Sequence, residues 1–566
     1  GAATAAICPK NLKMNKQKRI IALLLLAFAV MMSLPWLVPH AGVLALVALV
    51  PLLCAERLAS GLGVKRFFWW YYAAFVAFNF ITTWWVCKAT VGGGIFASLA
   101  NALQMAVIFG LFRVSRKRFD GALPYIFLAV MWIAWERFYL VGASISWPWL
   151  AFGNAFARST RLIQWYEWTG MLGGSLWVWA VNLGVFGLMV ALSNGWWSRW
   201  TPKAHWAAGF GLGIVIALPM VASAVIYRNY EERSDAGTLD VVMAQSNFDP
   251  WQKQRAVPQR EQNAQVTGLF EKELGSRENP SEMALMVLPE TFTSDIWIGD
   301  EEYSPTWRTF SDMVRKYPDV NLLFGASAHQ AFYQASKPHI LARQTRDGVW
   351  YLGYNSAFMT DSTGRKDRVD KSKLVVGTEL TPFPKIFVPF DDWLSKLLGA
   401  PGGLMGRCVI QGYAKNLEAR EYDDAGEVVR RVQIGVPICY ESIYPEWCRG
   451  YVQEGATLIS VITNDGWWGN TPGYRQHFSY SRLRAIELRR DIARCANTGI
   501  SAFIDQRGEV VEQSGWWVPY LLHGRVNLTS QQTFFVRYGD IVGRLCTFVF
   551  ILMLLALLVR LFIKKK

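Results

Sequence analysis

The run HWAAGFGLGIVIALPMVASAVIY (His205–Tyr227) contains no Asp, Glu, Lys or Arg, and LDVVMAQ (Leu239–Gln245) follows soon after it. The first is long enough to cross a bilayer core as a helix, which takes about 20 apolar residues. The second is a short apolar run rich in β-branched residues, of the length a buried strand uses. The chemistry of the chain changes between them, so the molecule divides near residue 230.

Working outward from that boundary, further apolar runs lie upstream at Ile20–Val38, Ala41–Ala55, Phe67–Val86, Gly94–Phe112, Ala122–Trp135 and Met171–Leu192. Downstream, after a long polar stretch, comes Ile541–Phe562. The expectation is a multi-pass α-helical membrane domain of eight spans. Composition agrees: 52% of the 566 residues are hydrophobic and only 18% charged, too long and too apolar for one soluble domain. The 27 Trp suit rings placed at membrane interfaces. Low-complexity tracts, a glycine period and sustained heptads are all missing, which excludes disorder, collagen and coiled coil.

The net charge of +15 comes from 58 Lys+Arg against 43 Asp+Glu. In so apolar a chain, positive loops on the cytoplasmic side explain it better than nucleic acid. Lys and Arg gather before the first span (Lys10, Lys13, Lys16, Lys18, Arg19) and in alternate loops: Arg57, Lys65 and Arg66; Arg113, Arg116, Lys117 and Arg118; Arg199 and Lys203. The tail Lys564–Lys566 belongs to the same set. The other loops are poorer, apart from Arg137, Arg158 and Arg161 in the fifth. Eight spans then place both termini in the cytoplasm and the polar insert outside. The first span has a basic leader but no small-residue cleavage site, so it reads as retained rather than as a signal peptide. Residues 1–13 read as foreign sequence ahead of a natural-looking start at Met14. The expected boundaries are 1–19 for a cytoplasmic tail, 20–230 for seven spans, 231–535 for the catalytic domain and 536–566 for the last span and basic tail.

In the insert, short β-rich runs alternate with helix-compatible segments: LDVVMAQ, MALMVLPE, VNLLFGASA, GVWYLGYNSAFMT, VQIGVPICY, TLISVITND and ISAFIDQRG. That alternation predicts a layered α/β domain, with hairpin turns at Asp361-Ser-Thr-Gly and Gln506-Arg-Gly-Glu. Chemistry-bearing residues stand at the ends of apolar runs. Glu290 follows Leu288-Pro, Lys371 opens Lys371-Ser-Lys373-Leu-Val-Val-Gly-Thr-Glu379, and Cys439 closes Val436-Pro-Ile-Cys439-Tyr440-Glu441. Strand ends in α/β domains face a shared crevice, and a thiol there is a candidate nucleophile. Taken singly, a Cys after a strand is more often a small buried apolar residue. Glu290 alone could be a helix-start carboxylate, and the two lysines a solvated loop. Cys408, Cys448 and Cys495 fall in the outside domain, where disulfides are open but not derivable. The six His are scattered and no cysteine pair has ligand spacing, so no metal is expected. Neither a Gly-x-Ser-x-Gly nor a phosphate loop occurs, which argues against a serine hydrolase or a nucleotide enzyme.

Glu290, Lys371 and Cys439, in that order and each at a strand end, resemble the nitrilase superfamily. Asn464-Asp-Gly-Trp467-Trp-Gly, Gln476-His-Phe-Ser-Tyr-Ser-Arg-Leu-Arg-Ala-Ile-Glu and Arg494-Cys-Ala-Asn497-Thr-Gly resemble its later segments. Membrane spans on both sides of such a domain resemble one branch, the apolipoprotein N-acyltransferases of bacterial inner membranes. Ser146-Trp147-Pro-Trp149-Leu is similar to that branch's Pro-Trp-Leu loop, and Gln245-Ser-Asn-Phe-Asp-Pro-Trp251 to its Gln-x-Asn segment with a functional Trp. The branch usually has Leu-Val-Pro-Phe-Gly-Glu after the lysine. Here Leu374-Val-Val-Gly-Thr-Glu379 stands there, and the spacing of eight from Lys371 to Glu379 survives, which Lys373 breaks.

The resemblance implies an α-β-β-α sandwich facing the periplasm and a two-step acyl transfer through a thioester on Cys439. It makes Glu290 the general base and Lys371 the oxyanion donor, with the Tyr440 N–H beside it. Glu379 and Glu441 are supporting residues, and Trp251, Trp467, Asn464, Trp147 and Trp149 substrate-binding ones. The donor is a phospholipid and the acceptor a diacylglyceryl apolipoprotein. No cofactor and no nucleic acid are expected, and the chain is expected to be a monomer. Two other readings share parts of this pattern: a membrane-anchored amidase that hydrolyses the thioester, and a transporter or scaffold with an inactive domain.

Overall fold

The computed structural model describes residues 9–194, 197–252, 256–277, 282–397 and 404–562. The leading residues 1–8 and the basic tail Lys564–Lys566 lie outside them. The chain divides into two compact units: Gly1–Tyr139, Trp149–Arg228 and Asp540–Lys566 form one, Leu140–Pro148 and Asn229–Gly539 the other.

In the first unit, seven helices among the described residues are long and apolar enough to cross a membrane. They are Met14–Leu37, Ala41–Gly61, Val91–Ser115, Leu123–Val141, Met171–Ser193, Pro202–Asn229 and Ile541–Phe562. The eighth expected span, Phe67–Val86, forms a helix of 17 residues, Phe67–Thr83. At 1.5 Å per residue that is about 26 Å, short of a bilayer core of about 30 Å. A turn at Trp84 and Trp85 ends it before a one-turn helix, Val86–Ala89. Two buried carboxylates in this unit have hydrogen-bond partners. Buried Glu56 takes Arg113 at 3.2 Å and also Arg116. Glu136, likewise buried, accepts the Phe152 N–H at 2.8 Å and the Trp132 indole at 3.1 Å. That carboxylate accepts the first N–H of the 3-10 turn Phe152–Phe156, and so anchors the start of the turn.

The second unit is built on two sheets. Its strands are β1 (Thr238–Gln245), β2 (Ala284–Val287), β3 (Val320–Phe332), β4 (Arg343–Gln344), β5 (Trp350–Thr360), β6 (Asp367–Asp370), β7 (Leu417–Tyr422), β8 (Val428–Gly435), β9 (Leu458–Thr463), β10 (Ile492–Ala496), β11 (Ala502–Ile504), β12 (Val510–Gln513) and β13 (Tyr520–Asn527). One sheet runs β13-β1-β2-β3-β5-β4, with β6 on β5. The other runs β12-β11-β10-β9-β8-β7. β1, β2 and β3 are parallel, as are β8, β9 and β10. β13 returns antiparallel to β1 with Thr238 opposite Asn527, so the first and last strands are neighbours.

Side-chain alternation assigns the layers. Leu239, Val241 and Met243 of β1, Leu285 and Val287 of β2, and Ile462, Ala493 and Cys495 of the second sheet share one core between the sheets. Val242, Ala244, Ala284 and Met286 turn the other way, onto the helices Gln259–Gly275 and Pro305–Lys316. Ile459 and Val461 turn onto the helices Pro445–Gln453 and Pro472–Leu488. Strands covered on both faces are apolar at nearly every position, which is why they read as continuous runs. The result is an α-β-β-α sandwich. All seven expected strand runs are strands, and both expected turns close hairpins with a left-handed glycine, Gly364 and Gly508. Cys408, Cys448 and Cys495 are free thiols.

Candidate active site

Glu290, Lys371 and Cys439 sit just beyond the ends of β2, β6 and β8, so the fold gathers them from both sheets. Pro289 and Glu290 leave β2 in a turn with Thr291 at φ +47°. That turn lies so close to β3 that a Cβ on Gly325 would meet the Glu290 Cα at 2.6 Å. Lys371 extends the β5–β6 hairpin by one bond, its N–H donating to the Asn355 carbonyl at 2.8 Å. Cys439 opens a 3-10 turn, Cys439–Ile443, at φ +50°, a left-handed conformation that a side chain adopts at a cost. Ile438 before it still bridges Ile462 of β9.

All three side chains are buried. The Lys371 ammonium lies between two carboxylates, 2.8 Å from Glu290 Oε1 and 2.9 Å from Glu379 Oε1. Asn355 Nδ2 donates to the same two oxygens, at 2.8 and 2.7 Å. The Asn464 N–H reaches the other Glu290 oxygen at 3.1 Å, and the Val375 N–H the other Glu379 oxygen at 2.8 Å. Burial works against the Lys371 cation. The Glu290 and Glu379 carboxylates outweigh it and hold its pKa well above the ordinary lysine value. Burial also raises the Cys439 thiol, and Glu290 raises it further, while Lys371 and a hydrogen bond with Thr463 pull it down. The thiol is therefore the protonated form at rest and needs a base to react.

Glu441 works on backbone. Its carboxylate accepts the N–H groups of Ser372 at 2.7 Å, Lys373 at 3.1 Å and Ile438 at 2.9 Å. It thus joins the lysine loop to the nucleophile turn. Burial pushes Glu441 up to about 7 against these bonds. Lys373 points elsewhere, over the rings of Tyr444 and Trp447 at 5.4 and 5.5 Å. In the loop where the family's Pro-Phe is missing, Gly377 at φ +85° makes the turn, and Glu379 still arrives on Lys371.

Behind the nucleophile runs a second buried chain. Arg494 donates to Asp465 Oδ2 at 2.7 Å, and Asp465 Oδ1 holds the His477 Nδ1 at 2.8 Å. His477 Nε2 lies 3.1 Å from both the Cys439 carbonyl and the Ser442 hydroxyl. Ser442 donates to the same carbonyl at 2.7 Å. Burial works against the Asp465 anion, but Arg494 and His477 outweigh it and bring its pKa to about 2. Motif spacing gave no metal ligands, yet the fold brings donor atoms of Cys439, Asp465 and His477 within 4.8 Å of one another. The carboxylate and the imidazole are already spent on Arg494, on each other and on the nucleophile turn, so the group acts as hydrogen-bonded support.

The aromatic candidates separate. Trp251 and Trp467 meet edge to face at 4.9 Å, both exposed. Trp147 lies parallel to Tyr440 at 6.3 Å, and the Tyr440 hydroxyl donates to the Ser146 carbonyl at 3.0 Å. Trp149 is fully buried in the first unit against Trp85, with ring centroids 5.0 Å apart. Asn464 contributes its backbone N–H to Glu290 and takes the Asn497 amide on its side chain at 3.3 Å. Asn355, Thr463, Asp465 and His477 were not singled out from sequence. Asn355 carries a faint signal, an amide inside an otherwise apolar strand run.

A carbon–nitrogen hydrolase family model matches residues 251–533. The chain belongs to the carbon–nitrogen hydrolase family. Residues 28–184 match the N-terminal domain of apolipoprotein N-acyltransferases. An apolipoprotein N-acyltransferase of Chlorobaculum tepidum is 28% identical over 516 residues, covering 90% of this chain and 91% of that protein. One of Geobacter metallireducens is 27% identical over 471 residues, covering 82% and 80%. The chain thus carries the two-part organisation of the acyltransferases along its length.

Proposed function

We propose that the chain is a bacterial inner-membrane acyltransferase that moves an acyl chain from a phospholipid to the N-terminal amine of a diacylglyceryl apolipoprotein. The supporting observation is the Lys371 ammonium between Glu290 and Glu379, in the crevice that holds the Cys439 thiol, in a chain whose membrane half matches acyltransferases. Glu290 takes the thiol proton while the sulfur attacks the ester carbonyl. Lys371 and the Tyr440 N–H stabilise the oxyanion, each such donor being worth about 3–4 kcal/mol. The ester C–O bond breaks, the proton passes from Glu290 to the departing alcohol, and lysophospholipid leaves. The amine then attacks the thioester. Its proton goes to Glu290, the C–S bond breaks, and the proton returns to Cys439. Neither half-reaction needs a cofactor, since the thioester holds the acyl group reactive.

In this reading Trp251 and Trp467 contact substrate, Trp147 lies against Tyr440 beside the nucleophile, and Glu441 holds the lysine loop. The membrane part spans 20–230 and 536–566 and the catalytic part 231–535, the latter facing the periplasm with both termini cytoplasmic. The protein acts as a monomer without nucleic acid. An amidase would share the polar site, but the match of the N-terminal half speaks against it.

Intact mass after incubation with phospholipid tests the proposal. The expected result is a gain of one acyl chain, released by hydroxylamine and missing in Cys439→Ala. Adding a diacylated lipopeptide should move that chain to the peptide amine. Release of free fatty acid in its place would make the protein a hydrolase, and no gain at all would remove Cys439 from the chemistry.

A further inference from the structure

We infer that Asn355 is a positioning residue of this site, and that it fixes which oxygen of Glu290 receives the Cys439 proton. The inference rests on the acyl-transfer reading above. Asn355 lies within β5, is almost fully buried, and spends both amide hydrogens on the carboxylates of Glu290 and Glu379, at 2.8 and 2.7 Å. Lys371 reaches the same two oxygens, so four groups close a square: two anions at opposite corners, one cation and one amide at the others. The amide can lie only this way round, because its carbonyl oxygen would otherwise face two anions. Its Oδ1 is buried and has no hydrogen-bond partner among the described residues. What sets Asn355 apart is its donors: both amide hydrogens go to carboxylates that also hold Lys371.

The square makes the two Glu290 oxygens unequal. Among the described residues, Oε1 takes two donors, Lys371 and Asn355, while Oε2 takes the Asn464 N–H at 3.1 Å alone. Oε2 therefore keeps the lone pair that accepts the proton from Sγ and passes it to the departing alcohol. Asn355 exchanges no proton. It keeps the carboxylate from rotating and holds Glu379 at its corner, so that Lys371 serves both anions.

The test is the rate of thioester formation, read by intact mass against pH, in wild type, Asn355→Asp and Asn355→Ala. Asn355→Asp keeps the shape but adds a third carboxyl. Its rate should fall by about 10²-fold or more above neutral pH. It should climb back as the pH is lowered, because the protonated carboxyl again donates. Asn355→Ala should slow acylation by a similar factor, shift the pH profile and leave phospholipid binding unchanged. Asn355→Ser, with one donor, should fall between and stands in if either variant fails to fold. An Asn355→Asp rate within about threefold of wild type at every pH overturns the inference. So does an Asn355→Ala loss that vanishes when corrected for folded fraction. A wild type that forms no Cys439 thioester sinks the proposed function itself, whereas a wild type that forms one while Asn355→Asp matches it sinks this inference alone.

Discussion

Cys439 is flanked by two buried charged groups that use the same ingredients differently. On one side, two carboxylates share one ammonium and one amide, and an oxygen of Glu290 has capacity to spare. On the other, one carboxylate faces a guanidinium and an imidazole, and both its oxygens are engaged. A group with an excess of acceptors can take up a proton and release it. A saturated group can only hold its shape. The left-handed turn at Cys439 needs such a hold, because its φ of +50° stores strain that the surroundings must sustain. In the proposed reaction, reactivity and rigidity are thus divided between the two sides of Cys439.

The largest expected effect is on the sulfur common to both sides. Cys439→Ser should cut turnover by something on the order of 10⁴-fold or more, measured as peptide acylation. Its thermal midpoint should stay near wild type, since volume and turn are kept. Lys371→Ala should lower the rate of thioester formation by about 10²–10³-fold. If Lys373→Ala does worse, the division into reacting and spectator lysines is wrong.

Asp465→Asn tests the other face and should act on stability. It leaves the Arg494 charge buried without its anion, which costs about 3–5 kcal/mol. Its signature is pH-dependent. The Asp465 pKa is depressed, so its contribution is complete above the ordinary carboxylate range and is lost as pH falls from about 4 towards 2. The variant should lack that acid-side loss in a melting series. An Asp465→Asn protein that melts normally but cannot form a thioester would place Asp465 with the reacting groups.

Lys373→Ala should cost less than about tenfold in rate, removing only a cation over Tyr444 and Trp447. Smallest is Asp491→Asn, remote from the sulfur. Burial raises Asp491 to about 7, so its ionisation opposes folding increasingly from about pH 4 to 7. The variant should gain on wild type in melting temperature as pH rises across that window. An equal offset at every pH would mean that Asp491 titrates normally.

The reacting face was legible in the sequence and the supporting face was not. Glu290 and Cys439 end apolar runs, and strand ends open onto crevices. Lys371 is told from Lys373 by its spacing to Glu379, and the fold bears out the pairing of Lys371 with Glu379 at 2.9 Å. The supporting face is assembled from Asp465, His477 and Arg494, which lie in a turn, a helix and a strand. Periodicity does not say that these meet. Asn355 was hidden because an amide inside a strand looks like a packing compromise until its partners are known. An aromatic in a membrane loop suits an interface and a core equally well, and Trp149 lies in the core. Phe67–Val86 reads as one apolar run, and its regular helix stops at Thr83, shorter than the seven helices long enough to cross a membrane.

The pairing of Thr238 with Asn527 has a consequence for how such a chain is assembled. Facing residues in antiparallel strands lie roughly 5 Å apart. The polypeptide thus leaves the sandwich beside the point where it came in. A module with adjoining ends can be spliced into a loop of another protein without pulling the host's flanking helices apart. Cutting at both points and joining the ends with two or three residues would return a host of bare membrane helices. The excised piece, with its own ends bridged, would be a circularly permutable α-β-β-α module.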